Sequence, residues 1–259
     1  MDTAPIHIAD LGLIGFAAAE QLQRKASDIV HSGGPGCLFL LEHPPTITFG
    51  RNGGEEHLPV SHSLLTERGV TLAKTSRGGS ITCHFPGQLV AYPVMRLDRR
   101  PGGLRRFFHD MEESVIRTLA RLDVEAERIQ GRPGVWVASR KICSIGIAVK
   151  HGISTHGLSL NVAADLSLFT LVTPCGLTGV SATSVHREQR GEPVGMSRLK
   201  AMFVREFCGI FHMSPVHIEP PLSVSPDPDM LPDITPDRAL SIAPGIAPGI
   251  APGIAKDDA

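Results

Sequence analysis

The chain has 259 residues, 42% of them hydrophobic, with 25 basic and 26 acidic side chains and a formal net charge of −1. It is long enough to bury a substantial core in one large or two small domains. A charge this close to zero gives no global attraction to nucleic acid or to an anionic membrane, so neither is expected as a partner.

Five cysteines, an odd number at wide spacings with no CxxC pair, argue against a disulfide framework and a structural zinc site. No metal or cofactor is expected. The opening MDTAPIHIADLGLIGF has acids early and no basic segment before an apolar run, so it does not read as a secretory signal. No apolar stretch approaches the ~20 residues that span a bilayer. The expected location is cytoplasmic, where thiols stay reduced.

In chain order, FAAAEQLQRKASDIVHSGG has apolar residues at helical spacing and ends at Gly33-Gly34. GCLFLLEHPP reads as a buried strand stopped by Pro44-Pro45, and TITFGR as a short strand turning at Gly50. SITCH and QLVAYPVM are two short strands joined by FPG. LRRFFHDMEESVIRTLARL is a second amphipathic helix, with Phe108, Met111, Val115, Leu119 and Leu122 on one stripe. GVWVASRKICSIGIAVK reads as a hairpin turning near Ser139-Arg140, ISTHGLSLNV as another strand, and SRLKAMFVREFCGIF as a third helix presenting Leu199, Met202, Phe203, Phe207 and Phe211. Helices and strands mix without a regular βαβ repeat, which predicts an α+β fold.

After about Met213 the composition turns to proline and acid, and IAPG occurs three times from Ile242. Proline every fourth residue forbids regular helix or ladder pairing. The expected division is a catalytic domain over residues 1–213 and a mostly disordered Pro-rich tail over 214–259.

Four groups of residues carry candidate chemistry. Cys175, between Pro174 and Gly176 in a run of small residues, is either a packed side chain at a tight turn or a displayed nucleophile. A thiol near pKa ~8.5 needs a neighbouring cation or base to act at neutral pH. Lys141, at the head of the apolar ICSIGIAV strand, would be partly desolvated and able to exchange a proton with it, or it simply caps a strand edge. In RGGSITCHFPGQLVAYP, Gly78 and Gly79 permit close backbone approach, Arg77 could bind an anion and His84 would face a cleft. The motif lacks the spacing of nucleotide-binding loops. In STHGLSLNV, alternation puts His156, Leu158 and Leu160 on one strand face and Gly157, Ser159 and Asn161 on the other. Finally, Arg99, Arg100, Arg105 and Arg106 are either a solvated helix face or a docking patch for an acidic partner.

Taken together, LLEHPPTITFGR, RGGSITCHFPGQLVAYP, GRPGVWV with RKICSIGIAV, STHGLSLNV, and TPCGL followed by TSV resemble the lipoyl(octanoyl) transferases of lipoate biosynthesis, in that family's order over roughly residues 11–211. The resemblance implies the catalytic domain shared with biotin and lipoate protein ligases. It implies transfer of an octanoyl group from octanoyl-acyl carrier protein to a lysine of a lipoyl domain of a 2-oxoacid dehydrogenase or of the glycine cleavage H protein. Cys175 would be the acyl-thioester cysteine and Lys141 the lysine that lowers its pKa. The substrate-binding segments would be Arg77, Gly78, Gly79, Ser80, Ile81, Thr82, Cys83 and His84; Ser144, Ile145 and Gly146; and Gly157, Leu158 and Ser159.

Phe85 and Cys83 depart from the family pattern beside His84. The rival readings are an ATP-dependent lipoate-protein ligase of the same fold, a non-catalytic acyl-carrier binding module, and a hydrolase pairing the cysteine with His84 or His156.

Overall fold

The computed structural model describes residues 3–98, 100–173 and 181–220. Strand β1 (Ala4–Leu13), helix α1 (Phe16–His31) and strand β2 (Gly36–Glu42) form a βαβ unit, with β1 and β2 paired in parallel. Strands β3 (Thr46–Phe49), β4 (Thr71–Lys74) and β5 (Ile81–His84) make a small sheet in the order β4-β3-β5. The short helix α2 (His62–Glu67) precedes β4, and its Leu65 packs in that sheet's core.

The chain then runs through β6 (Gln88–Val94), α3 (Gly103–Ala120), β7 (Glu127–Ile129), β8 (Arg132–Val137), β9 (Arg140–Lys150), β10 (Ile153–Asn161), α4 (Val185–Glu188), α5 (Met196–Phe211) and β11 (Met213–His217). The main sheet has eight strands in the order β11-β1-β2-β6-β10-β9-β8-β7. No described helix is long and apolar enough to cross a membrane.

Period-two alternation decides which helix each strand meets. Leu38 and Leu40 of β2, with Leu89 and Ala91 of β6, join the core under α3 and α5. Cys37, Phe39 and Leu41, with Val90, Tyr92 and Val94, join the core under α1. These strands are covered on both faces, so they read as unbroken apolar runs. Helix α1 presents Ala19, Leu22, Ala26 and Val30, and α5 presents Leu199, Phe203, Phe207 and Phe211, each at steps of three or four. Each large side chain fully buried in this way contributes about 2 kcal/mol.

On α3 the stripe begins one residue earlier than the sequence suggests. Phe107 is fully buried with Met111, Val115 and Leu119, and Phe108 is only partly covered. Both phases satisfy helical spacing, and the rings of α5 select one: Phe107 meets Phe211 edge-on, with centroids 5.6 Å apart.

A boundary at 213 cuts through paired structure. β11 lies parallel to β1 from Ala4↔Met213 to Ile8↔His217, and Ile218 N–H donates to Ile8 O at 3.0 Å. Pro215, which cannot donate, is tolerated because β11 is an edge strand. A chain ending at Pro220 should therefore keep the melting temperature of the full chain. One ending at His212 should melt about 5 °C lower, since several ladder hydrogen bonds are lost and β1 becomes an open edge. Thermal unfolding of the two truncations checks this.

Candidate active site

On the α1 side of the main sheet, β9 and β10 carry almost no side-chain bulk. The antiparallel register sets Gly146 opposite Gly157 and Ser144 opposite Ser159. Over this bare strip lies a narrow cavity of about 60 Å³, and beside it one of about 490 Å³; Ile81, Thr82, Lys141 and Ser144 line both.

The loop Arg77–Gly78–Gly79 closes the narrow end. Gly78 N–H donates to Ile147 O of β9 at 3.0 Å. A Cβ on Gly146 would stand 2.9 Å from Gly78 O, so glycine is what permits this approach; one on Gly157 would stand 2.1 Å from Ala91 O of the neighbouring strand β6. Arg77 does not reach out for an anion. It is buried, and Nη2 donates to Thr48 O at 2.7 Å, Thr48 Oγ1 at 2.9 Å and Ser80 O at 2.9 Å, while Nη1 donates to Gly78 O at 3.1 Å. Its guanidinium is the brace of the loop.

His84 and His156 form the inner wall with Phe16 and Tyr92, and His43 packs behind them against Phe16 and His84. His43 Nδ1 donates to Ile14 O at 2.7 Å, so its Nε2 accepts from the Tyr92 hydroxyl at 3.0 Å. A second chain has a fixed direction because carbonyls lie at both ends. Asn161 Nδ2 donates to Thr183 O (2.9 Å), and Gln88 Nε2 donates to Cys83 O (3.1 Å) and Asn161 Oδ1 (2.9 Å). Gln88 Oε1 therefore accepts from His84 Nδ1 at 2.9 Å, which leaves His84 Nε2 as an unprotonated acceptor.

His156 breaks the alternation expected for its strand. Its φ of 58° turns the ring away from Leu158 and Leu160 to stack on Phe16, with centroids 6.4 Å apart. The rotated backbone N–H is held by Gln23 Oε1 at 2.6 Å, a contact between α1 and β10 that no local pattern announces. Burial lowers the pKa of His43 and His156 to about 4, with Arg77 adding to the shift at His156. Burial and then His43 hold His84 well below its ordinary value of 6.5. All three rings are neutral at neutral pH.

Lys141 enters from the opposite rim. Strand β8 has a register shift between Val135 and Trp136, so Trp136 faces Lys141, whose Nζ lies 5.3 Å from the indole centroid. The indole N–H is anchored on Arg132 O at 3.1 Å. Gly134, at φ 108°, makes room for the lysine stem: a Cβ there would stand 2.8 Å from Lys141 Cε and 2.3 Å from Cys143 O. The Lys141 backbone also ties down the returning chain, with Lys141 N–H donating to Ser181 O and Thr183 N–H donating to Lys141 O, both at 2.9 Å.

The structure thus gathers most of the residues singled out in the sequence around one space. Arg77, Gly78, Gly79, Ser80, Ile81, Thr82, His84, Lys141, Ser144, Ile145, Gly146, Gly157, Leu158 and Ser159 all line the narrow cavity. Cys83 does not. It points into the core of the small sheet with its Sγ directed at Leu168 O (3.5 Å), and burial pushes its thiol far up. Phe85 packs beside it against Phe169. Cys83 and His84 are neighbours on β5, so their side chains point to opposite faces.

Cys175 lies outside the described residues, as does Arg99. The residues on either side of its segment, Val172 and Ser181, both line the large cavity. Among the described residues no group of His, Cys, Asp and Glu is arranged to hold a metal. The sequence reading overlooked Phe16, His43, Thr48, Tyr92 and Trp136. The signal available was composition: the chain has one Trp and one Tyr, and both are here.

The family model of the lipoyl protein ligase A/B catalytic domain matches residues 15–208. An octanoyltransferase of Nitratidesulfovibrio vulgaris is 56% identical over 202 residues, 78% of this chain and 93% of its own. One from Desulfovibrio desulfuricans is 49% identical over 211 residues, 82% and 89% of the two chains. The chain belongs to the octanoyltransferase family. The fold of this octanoyltransferase is also that of the bipartite lipoate protein ligase of Thermoplasma acidophilum, with a TM-score of 0.68 at 18% identity over 85% of this chain and 88% of that one.

Two outcomes follow from the geometry of the octanoyltransferase site. Below pH 6.5 the unfolded chain takes up protons that the buried His43 and His156 refuse until about pH 4. Stability should therefore fall as pH drops through that window, by about 1.4 kcal/mol per pH unit for each histidine. Urea unfolding at pH 7, 6 and 5 reads the slope, and His43→Asn should remove one proton from it. Gly134→Ala should destabilise the fold by roughly 2–4 kcal/mol, through the forced positive φ and the contact with Cys143 O, as measured by the urea midpoint.

Proposed function

We propose that this octanoyltransferase takes its acyl group from octanoyl-acyl carrier protein and places it on a lysine of a lipoyl domain of a 2-oxoacid dehydrogenase or of the glycine cleavage H protein, through a thioester on Cys175. The observation that carries the reading is the meeting of Lys141, the Arg77–Gly79 loop and the Gly146–Gly157 strip around a narrow cavity, with Lys141 also lining the large cavity whose lining includes both flanks of the Cys175 segment. Cys175 follows Val172 by three residues, about 11 Å of extended chain at most. The other four cysteines are buried, and burial raises their thiols: Cys37 to about 12, Cys208 to about 11, and Cys83 and Cys143 further. Such thiols are poor nucleophiles.

On this reading, Lys141 Nζ accepts the Cys175 proton and the thiolate attacks the donor's thioester carbonyl. The new C–S bond forms, the tetrahedral oxyanion is held by backbone N–H groups near Gly79 or Cys175, and the old C–S bond breaks. The departing carrier thiolate takes the proton back from Lys141. In the second half, the acceptor amine attacks the acyl-enzyme, an amide bond forms, and Cys175 leaves as thiolate while Lys141 relays the amine's proton. Exchange of one thioester for another is nearly isoenergetic and amide formation is downhill, so no ATP is needed. The acyl chain would lie along the residues of the narrow cavity, over the glycine strip. The depressed basicity of His84 and His156 favours the lysine over a cysteine–histidine hydrolase. The catalytic domain would end after β11, with the Pro-rich segment dispensable for turnover.

Intact-mass spectrometry after mixing with octanoyl-acyl carrier protein, without ATP, should give one octanoyl adduct, absent from Cys175→Ala and discharged by a lipoyl domain. Cys175 should alkylate with iodoacetamide at a lower pH than a free thiol, and Lys141→Ala should move that profile upward. An unmoved profile refutes the Cys–Lys pairing.

A further inference from the structure

Of the four arginines at the head of α3, two share one internal carboxylate. Arg100 and Arg106 both hold the buried carboxylate of Asp110, and Arg100 lies 4.3 Å over the Phe211 ring. Arg105 points instead into a surface groove between α3 and the β7–β8 hairpin. The groove consists of two joined depressions of about 520 and 330 Å³ that share Phe108, Glu112 and Pro133. Its far end holds Leu104, which is 50% exposed and one of four large hydrophobic side chains in that condition among the described residues.

The charge around this apolar floor is biased. Glu112, the one acid among the described residues that line the groove, is already engaged: Oε1 accepts Gly134 N–H at 3.0 Å and Oε2 pairs with Arg128 at 3.1 Å. Arg105 has no ion pair among the described residues, and Arg132 is exposed. The β8 end adjoins the cavity wall, because the Arg132 guanidinium lies 5.9 Å over the Trp136 ring, and Trp136 lines the large cavity with Lys141.

We infer that this groove is the docking site of the acyl-carrier donor, which lays an acidic, partly apolar helix along α3. The inference rests on the acyl-carrier reading above. A helix fits a trough with apolar anchors along its floor and cations at its rim. Position separates donor from acceptor. The groove shares no lining residue with the cavity, so its occupant must reach around Trp136 to the reacting atoms. A donor whose thioester rides on a long pantetheine arm can do so. An acceptor offering one lysine side chain must sit at the cavity mouth itself.

The test compares two donors, octanoyl-acyl carrier protein and octanoyl-pantetheine, with Leu104→Asp and Arg105→Glu singly and combined. The combined variant should raise KM for the carrier donor by tenfold or more, and the difference should shrink with added salt. Acylation by octanoyl-pantetheine should be unchanged, and Arg105→Lys should stay near the unaltered KM. An unchanged KM for the carrier overturns the inference. So does an equal loss with both donors, which would mean a damaged fold, or a rise confined to KM for the lipoyl domain, which would mean the acceptor docks there. If the unaltered protein is acylated by neither donor, the transfer reading itself fails and the groove assignment falls with it.

Discussion

The site depends on a strip of sheet with almost no side-chain bulk on it. Gly146 and Gly157 face each other across β9 and β10, and Ser144 and Ser159 make the next rung. A methyl group at either glycine would collide with backbone oxygen, of Gly78 in one case and Ala91 in the other. Because so little stands on this strip, the Arg77–Gly79 loop can lie against β9 and roof a narrow space above it. Arg77 makes the roof rigid by spending its donors on Thr48, Gly78 and Ser80 oxygens. One buried cation thus acts as covalent geometry would, holding a loop that carries no regular structure of its own.

The inner wall solves a second problem, the burial of polar groups without charge. His43, His84 and His156 stay neutral because burial disfavours their protonated forms, and for His43 and His84 the partners fix which nitrogen carries the proton. The chain from His84 through Gln88 and Asn161 ends on Thr183 O, and Thr183 N–H is bound to Lys141 O. The wall of the narrow cavity and the anchor of the lysine strand are therefore parts of one hydrogen-bonded frame. At the other rim, Trp136 and Gly134 shape the space for the Lys141 stem, the indole supplying a π face and the glycine an empty position.

Much of the fold was legible in the sequence. α1, β2, β6, α3, the β8–β9 hairpin, β10 and α5 each show the period of their structure over enough residues to be seen. β1 and β11 were missed, though APIHIADLGL alternates at Ile6 and Ile8. β11 is mostly exposed and contains proline, so neither burial nor composition marks it; it is a strand because β1 offers an open edge. The arginines show a related limit: four basic residues in a short run look alike, and only the position of Asp110 shows that Arg100 and Arg106 share one carboxylate.

The sequence by itself determined which runs of the chain border the cavity. The RGGSITCH run, the lysine heading an apolar strand and the glycine–serine alternation are local facts, and local spacing carries them. Which side chains face the cavity was decided by tertiary structure. His156 changes face because Gln23, 133 residues earlier, accepts its rotated N–H. Cys83 does not line the cavity because its strand pairs in the small sheet and its side chain packs in that sheet's core. Phe107 rather than Phe108 enters the core because the rings of α5 lie on that side. Each choice turns on a contact between residues far apart in the chain, and a local pattern holds no record of what will stand opposite it.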